Sequence, residues 1–253
     1  MIGQLKHYLE IRKTVASDPR AHDIYVVEFP KSGITWLCTL LANMALQAAG
    51  SGQRVTHYNV QQYIPDIHMV GRMPIGDSML SAIPQRLIKS HSFYNRYYQG
   101  IIYLARHPAA VMKSYCSYLN QQAGKSITAE QLLTHPDLGI PAWKRHVRGW
   151  LEVHDRPNRL HLVRYEDLVA DAGSVLQELS DNIGWPFSAE TIQHAVELSA
   201  AEHMKNSEAS YRSNDPGYSM KFVKNGTPEL PKEIQAAINE LCTDELLLLG
   251  YTQ

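Results

Sequence analysis

The sequence predicts an α/β fold in a single domain, with a central parallel β-sheet flanked by helices. Three short, apolar, β-branched runs are typical of buried strands, and each is followed by residues with helical periodicity. These strand candidates are residues 24–29, 100–105 and 160–163. Parallel sheets bind ligands at the carboxyl ends of their strands, so we expect a binding site at that edge.

The helix after each strand is predicted from its own pattern. Residues 35–49 carry apolar side chains at helical spacing, namely Leu37, Leu40, Leu41, Met44 and Ala48. The second helix begins near Pro108, because a first helical turn tolerates proline. Its apolar stripe is Val111, Met112, Tyr115 and Leu119. The third helix spans residues 167–183 and ends before Gly184, a common stop signal.

The rest of the chain divides into helices and loops. Further helices are predicted at residues 142–154, 189–206 and 231–249. Residues 53–84 and 211–227 are rich in Gly, Pro, Asn and Asp, so we expect loops that could shape a pocket. We find no repeat or Ser/Gly-rich linker that would divide the chain.

Composition narrows the class of protein. The 253 residues are 44% hydrophobic, which is enough for one hydrophobic core. The 24 basic and 25 acidic residues nearly cancel, so the net charge does not attract the protein to nucleic acid or to an acidic membrane. Residues 1–23 lack the apolar core of a signal peptide, and no later stretch is long enough to span a membrane. We therefore expect a soluble, cytoplasmic protein. Cys38, Cys116 and Cys242 indicate neither a disulfide framework nor a metal site.

The stretch at residues 28–37, EFPKSGITWL, predicts an anion site between the first strand and the first helix. A glycine turn at a helix N-terminus directs backbone N–H groups at one point. Lys31 adds a positive charge, and Ser32 and Thr35 add hydroxyls. Trp36 could stack on a flat base or belong to the core. An ordinary strand-to-helix turn with a Ser or Thr cap is the alternative interpretation.

Two further stretches place polar residues after predicted strands. Arg106 ends the second strand, and Ser114 follows eight residues later in the next helix, so each could reach a phosphate. Tyr165 follows the third strand, and Asp167 could cap the helix after it. A surface ion pair would equally explain Arg106, and Ser114 could be an ordinary helix residue.

These three stretches, in this order and spacing, resemble the sulfotransferases that use 3′-phosphoadenosine 5′-phosphosulfate (PAPS). The opening turn of that family reads P-K-S-G-T-T-W, its second motif has an arginine with a serine eight residues later, and its third reads Y-E-D-L. The similarity runs from about Ile24 to the end of the chain. It implies a P-loop-like sulfotransferase fold of the cytosolic type, as one domain over residues 1–253 with its core from about residue 24.

The resemblance also implies a cofactor site. Its matching positions are Lys31, Ser32, Gly33, Ile34, Thr35, Trp36, Arg106, Ser114, Tyr165, Ser199, Lys224, Asn225 and Gly226. The residues of the opening turn would hold the 5′-phosphosulfate. The 3′-phosphate would be held by Arg106, Ser114, Lys224 and Gly226. The adenine would lie near Trp36, Tyr165 and Ser199.

The same resemblance selects catalytic residues. In LIKSHSF, His91 takes the position of the general base and Lys89 that of a lysine two residues earlier. Histidine is the side chain best suited to accept a hydroxyl proton near neutral pH. Lys31 would stabilise the leaving oxygen. The implied reaction moves a sulfuryl group from PAPS to a hydroxyl or amine of a small-molecule, lipid or glycan acceptor, without a metal.

Departures from the family pattern predict a weaker hold on the cofactor. Ile34 replaces a threonine, Asn225 replaces a basic residue, and Ala201 stands where the family commonly has phenylalanine. Residues 58–79, 93–98 and 211–222 are expected to line the acceptor site. His146 could border it, whereas Trp150 is expected in the core.

The sequence is also compatible with two other functions. A phosphotransferase of the P-loop class would use ATP and magnesium, but it needs a lysine after the loop glycine, where this chain has Ile34. The second alternative is a protein that binds a nucleotide without catalysis. It is favoured by the replacement of family residues that would contact the phosphates of PAPS. It is disfavoured by the presence of both Lys89 and His91, because binding alone needs no base.

Overall fold

A computed structural model describes residues 14–71, 73–121, 124, 126–153, 159–200, 202–203 and 229–252. Its sheet has four parallel strands, β1 (Ile24–Glu28), β2 (Leu87–Ser90), β3 (Gly100–Ala105) and β4 (Arg159–Arg164). The strand order is β2-β1-β3-β4. The predicted α/β class, with a central parallel sheet between helices, is therefore confirmed.

Helices pack around this sheet in chain order. They are α1 (Ile34–Ala48), α2 (Val60–Tyr63), α3 (Ile67–Val70), α4 (Pro108–Gln121), α5 (Ala129–Thr134), α6 (Ile140–Leu151), α7 (Tyr165–Ile183), α8 (Ala189–Leu198), α9 (Lys232–Leu241) and α10 (Thr243–Leu248). No helix in these described ranges combines the length and apolar character that a membrane crossing requires.

The two faces of the sheet belong to two hydrophobic clusters. Side chains alternate along a strand, so Ile24 and Val26 of β1 join the cluster that contains the apolar face of α1. Tyr25 and Val27 join the other cluster, with residues of α4, α6 and α9. By the same alternation, Glu28 shares the α1 side of the sheet with Ile24 and Val26. This places a carboxylate at the strand end, beside the beginning of α1.

Several predicted boundaries need correction. Strand β2 was not predicted, because it is only four residues long and includes Lys89. The segment predicted as a loop at residues 53–84 contains α2 and α3, and the predicted helix at 231–249 is divided at Cys242. Helix α8 ends at Leu198, and α7 begins at Tyr165. Asp167 therefore lies within the first turn of α7, where it binds Arg164 at 2.7 Å instead of acting as the cap.

The three cysteines are free thiols. Cys38 and Cys242 are buried, and Cys116 is half-buried. Burial raises the pKa of the Cys38 thiol and of the Cys242 thiol to about 12. Both thiols are therefore protonated at neutral pH, and they pack as small core residues.

Candidate active site

The turn between β1 and α1 requires an unusual backbone. Lys31 has φ of 78° and Gly33 has φ of 112°, both in the left-handed region that L side chains rarely adopt. The space above Gly33 is filled by the ring of Tyr165, since a Cβ at Gly33 would lie 2.6 Å from the ring atoms Cδ2 and Cε2. Glycine is therefore required at position 33 by both backbone conformation and packing.

Internal hydrogen bonds hold the turn in this shape. The Glu28 carboxylate accepts the backbone N–H of Lys31 at 3.2 Å and that of Ile34 at 2.7 Å. The carbonyl of Phe29 accepts the hydroxyl of Ser32 at 2.9 Å and its N–H at 3.2 Å. The side chain of Ser32 is thus engaged within the turn and buried.

Two backbone donors of the turn remain for a ligand. Among the described residues, the N–H groups of Gly33 and Thr35 have no hydrogen-bond partner. They lie at the N-terminus of α1, a helix of 15 residues. The helix dipole places a partial positive charge at this end. Unpaired N–H groups at such a helix terminus suit an anion.

Tyr165 connects the three stretches that the sequence analysis singled out. Its ring lies 4.1 Å from the Arg106 guanidinium and 5.8 Å from the Trp36 ring, in an edge-on arrangement. Arg106 also donates a hydrogen bond to the carbonyl of Lys31 at 3.2 Å. Its Nε is buried and has no hydrogen-bond partner within the described ranges. Arg106 thus keeps one donor at the junction of the turn and Tyr165.

Ser199 and Ser114 are less directly connected to this junction. The carbonyl of Ser199 accepts the indole N–H of Trp36 at 3.1 Å, while its hydroxyl accepts a hydrogen bond from Asn43 at 2.9 Å. Ser199 is fully buried and orients the indole. Ser114 is half-buried on α4, two turns after the helix begins.

Ile34, which was predicted to belong to the cofactor-binding turn, contributes its side chain to the hydrophobic core. Its side chain is only 2% exposed and belongs to the hydrophobic core, and its N–H is bound by Glu28. The substitution of threonine by isoleucine therefore adds apolar packing at the beginning of α1. Lys224, Asn225, Gly226 and Ala201 lie outside the described residues, as does the expected acceptor loop at 211–222.

His91 lies directly after β2, at the same edge of the sheet as the turn. Its Nδ1 is 3.6 Å from Oε1 of Glu28, and its Nε2 is 3.9 Å from Oδ2 of Asp66. Its backbone N–H donates to Nε2 of His68 at 3.1 Å. Burial lowers the pKa of His91 to about 4, and the charge of Lys89 acts in the same direction. The imidazole is therefore neutral at pH 7 and able to accept a proton.

The two candidate lysines have defined partners. Lys89 forms an ion pair with Asp66 at 3.1 Å, and only 14% of its side chain is exposed. The ammonium of Lys31 lies 4.6 Å from the centre of the Tyr118 ring. The site therefore holds two cations at fixed positions, one of them neutralised locally by a carboxylate.

Glu28, Asp66 and His68 were missed by the sequence analysis. Glu28 was grouped with a buried strand, and the other two were part of a predicted loop. Burial raises the pKa of Glu28 to about 7, and its bonds to the turn partly oppose that shift. The available signal was the charge at position 28, because a carboxylate at the buried end of an apolar strand requires polar partners.

His146 lies beneath this site rather than at its surface. Its Nδ1 is 2.9 Å from the hydroxyl of Tyr103, and the residue is 1% exposed. Burial lowers the pKa of His146 to about 3, so it is neutral. Trp150 is fully buried, as expected, and its indole N–H donates to the carbonyl of Ser92 at 3.0 Å.

Comparison with known proteins identifies the family of this chain. A family model described as "Sulfotransferase domain" matches residues 21–248. The chain belongs to the sulfotransferase family. The Rattus norvegicus protein named Sulfotransferase 2B1 is 26% identical over 200 residues, which are 75% of this chain and 57% of that relative. The chain thus matches little more than half of that sulfotransferase's length.

Two solved structures share the fold. Mouse sulfotransferase SULT7A1, solved in complex with PAP, superposes with a TM-score of 0.62 at 19% identity, covering 93% of this chain and 88% of that chain. Retinol dehydratase, solved with retinol and PAP, gives a TM-score of 0.62 at 21% identity, covering 95% of this chain and 86% of that chain. At these identities the comparison shows the common architecture.

Proposed function

We propose that this chain transfers a sulfuryl group from PAPS to a hydroxyl of a small molecule, with His91 as the general base. The observation that carries this proposal is the contact of Tyr165 with both Gly33 and Arg106. That contact joins the three stretches that resemble PAPS-dependent enzymes at one edge of the sheet. The family match over residues 21–248 supports the same reaction class.

The donors around the turn suit an adenosine nucleotide with phosphates at both ends. The N–H groups of Gly33 and Thr35 would hold the 5′-phosphosulfate, together with the charge of Lys31. The unpaired Nε of Arg106 would bind the 3′-phosphate, and Ser114 would assist it. Trp36 and Tyr165 would contact the adenine. Bound in this way, PAPS supplies a sulfuryl group that is already activated for transfer.

The residues around β2 would carry out the proton transfer and meet the developing charge. His91 is neutral at pH 7 because of its burial, so it can remove the proton of an acceptor hydroxyl. Lys31 and the N–H groups of the turn would stabilise charge on the leaving oxygen. Lys89, held by Asp66 at 3.1 Å, is close enough to His91 to influence its pKa, and we assign it to the sulfuryl oxygens.

The acceptor we propose is an apolar alcohol. Met69 lies next to His68, which binds the backbone of His91, and Phe93 lies two residues beyond His91. Their side chains are 68% and 48% exposed, so apolar surface is available within two residues of His68 and His91 along the chain. Retinol dehydratase, which shares the fold, was solved with retinol, a molecule of this kind. The cytoplasmic location stays a prediction from the sequence.

Radiolabelled PAPS offered with a panel of acceptor alcohols, amines and glycans tests this function. We expect labelled sulfate esters of apolar alcohols, and thermal stabilisation by adenosine 3′,5′-bisphosphate without magnesium. Stabilisation by ATP with magnesium alone would instead favour a P-loop phosphotransferase. Binding of adenosine 3′,5′-bisphosphate without transfer to any member of the panel would favour a nucleotide-binding protein.

A further inference from the structure

The carboxylate of Glu28 bridges the anion turn and His91. It is buried, with 3% of its side chain exposed. One oxygen, Oε2, accepts the N–H of Ile34 at 2.7 Å. The other, Oε1, accepts the N–H of Lys31 at 3.2 Å and lies 3.6 Å from Nδ1 of His91. A single residue thus contacts both the phosphate-binding turn and the proposed base.

We propose that Glu28 is a positioning residue that keeps the proton of the neutral His91 imidazole on Nδ1, so that Nε2 is the atom that accepts the proton of the acceptor hydroxyl. This inference rests on the proposed function for its catalytic consequence. Nothing in the resemblance to PAPS-dependent sulfotransferases assigned a role to position 28.

The tautomer follows from the groups around the ring. Nδ1 is buried and has no hydrogen-bond partner within 3.5 Å in the described ranges, and Oε1 of the Glu28 carboxylate lies 3.6 Å from it. A lone pair on Nδ1 would face the lone pairs of that carboxylate, whereas an N–H there would be attracted by it. The second carboxylate, Asp66, lies 3.9 Å from Nε2, but its charge is already paired with Lys89. The stronger unpaired attraction is therefore at Nδ1.

The proton balance of the reaction is simple. The O–H bond of the acceptor breaks as the Nε2–H bond forms, and the Nδ1–H bond remains intact. At pH 7.5, above the pKa of about 7 that burial gives the Glu28 carboxyl, this carboxyl is mostly ionised, and its charge stabilises the resulting imidazolium. The other titratable or charged groups that act on this pair are Lys31, Cys38, Asp66, His68, Lys89, Tyr103 and His146.

Glu28→Gln is a sharp test, because its amide has only one acceptor oxygen. If that oxygen keeps the shorter bond to Ile34, the NH₂ group takes the place of Oε1, where it faces Nδ1 of His91 and donates to it, while the N–H of Lys31 loses its acceptor. The substitution would then move the ring proton to Nε2, where it blocks the base. Glu28→Asp keeps a carboxylate on a side chain that is shorter by one methylene group. We expect this variant to keep the Nδ1–H tautomer.

The primary readout is the ¹⁵N spectrum of the histidine side chains at pH 7.5, with the His91 signals assigned by their loss in His91→Gln. We expect the Nδ1–H tautomer in the wild type and in Asp66→Asn, the matched control that removes the other nearby carboxylate. We expect the Nε2–H tautomer in Glu28→Gln. A wild-type Nε2–H tautomer, or a Glu28→Gln spectrum like that of the wild type, would overturn the inference.

Kinetics provide the second readout. We expect Glu28→Gln to lower kcat about 100-fold, within the range of general-base contributions, while the KM for PAPS changes far less. In a His91→Ala background the same substitution should have little further effect, because Glu28 acts through His91. Equal losses in both backgrounds would overturn the inference. Because the spectra need no substrate, a wild type that transfers no sulfuryl group would refute only the proposed function.

Discussion

The ring of Tyr165 lies directly on the backbone of Gly33, at a distance that leaves no room for a Cβ. The two residues are far apart in sequence, yet they join the turn after β1 to the beginning of α7. The same ring also contacts the guanidinium of Arg106. The order of the strands makes this possible, since β3 pairs with β1 on one side and with β4 on the other.

Gly33→Ala should therefore disrupt the site. The new Cβ would lie 2.6 Å from the ring of Tyr165, and φ of 112° is strained for alanine. We expect a loss of affinity for adenosine 3′,5′-bisphosphate of more than about tenfold and a lower Tm. Gly50→Ala is the matched control, because Gly50 also has positive φ but has open space around it. Isothermal titration of both variants checks this, and equal binding would refute the packing argument.

Arg106→Ala should weaken binding of adenosine 3′,5′-bisphosphate about 10- to 100-fold, because a charge-assisted hydrogen bond to phosphate is lost. Arg106→Lys should restore only part of the affinity, since an ammonium lacks the planar fork that lies over Tyr165. Arg20→Ala is the control, because Arg20 is exposed and precedes the opposite end of β1. Unchanged affinity of Arg106→Ala in a titration would remove Arg106 from the cofactor site.

Stability should depend on pH through Glu28. Burial in the folded protein raises the pKa of this carboxyl to about 7 from its ordinary value of 4.5, so the folded state favours the protonated form. Protonated Glu28 therefore adds roughly 3 kcal/mol to the free energy of unfolding. This contribution is complete below about pH 4.5 and is lost as pH rises through about 7. Glu28→Gln removes this titration.

The measurement is urea unfolding of the wild type and Glu28→Gln from pH 5 to pH 8. As pH rises, the wild type should lose stability relative to Glu28→Gln, because only the wild type has this titrating carboxyl. A difference that is constant over this range would show that Glu28 keeps an ordinary pKa in the folded protein.

Ile34→Thr should destabilise the protein without tightening the hold on the cofactor. The side chain of Ile34 is buried in the core, so threonine would lose packing and bury a hydroxyl, at a cost of about 1–3 kcal/mol. Ile34→Val separates the packing loss from the effect of the hydroxyl. Thermal unfolding and titration with adenosine 3′,5′-bisphosphate check both parts. Tighter binding by Ile34→Thr would show that a threonine hydroxyl here reaches the anion.

The sequence predicted β1 and β3 closely because both are continuous apolar runs that end at polar residues. It missed β2, an edge strand that pairs only with β1 among the described strands. Its four residues include the charged Lys89, which lies opposite Val26 of β1. The turn could be recognised from its glycine and lysine. The contact of Gly33 with Tyr165 could not be recognised from the sequence, because it depends on the spatial order of the strands.

The roles of Glu28 and Asp66 illustrate the same limit. Glu28 follows four apolar residues, and only the folded sheet shows that its carboxylate meets both the turn and His91. Asp66 reaches Lys89 through an isolated bridge between its loop and β2. The sequence does not show that Glu28 pairs with His91 or Asp66 with Lys89, because the two residues of each pair are distant along the chain.

The most direct test of the whole account compares the wild type with His91→Ala. Transfer of radiolabelled sulfuryl from PAPS to an apolar alcohol is followed over time, with the Kd for adenosine 3′,5′-bisphosphate measured on the same samples. We predict transfer by the wild type, and a loss of about 100- to 10,000-fold in His91→Ala with an unchanged Kd. Near-normal transfer by His91→Ala at an unchanged Kd would contradict the assignment of His91 as the base.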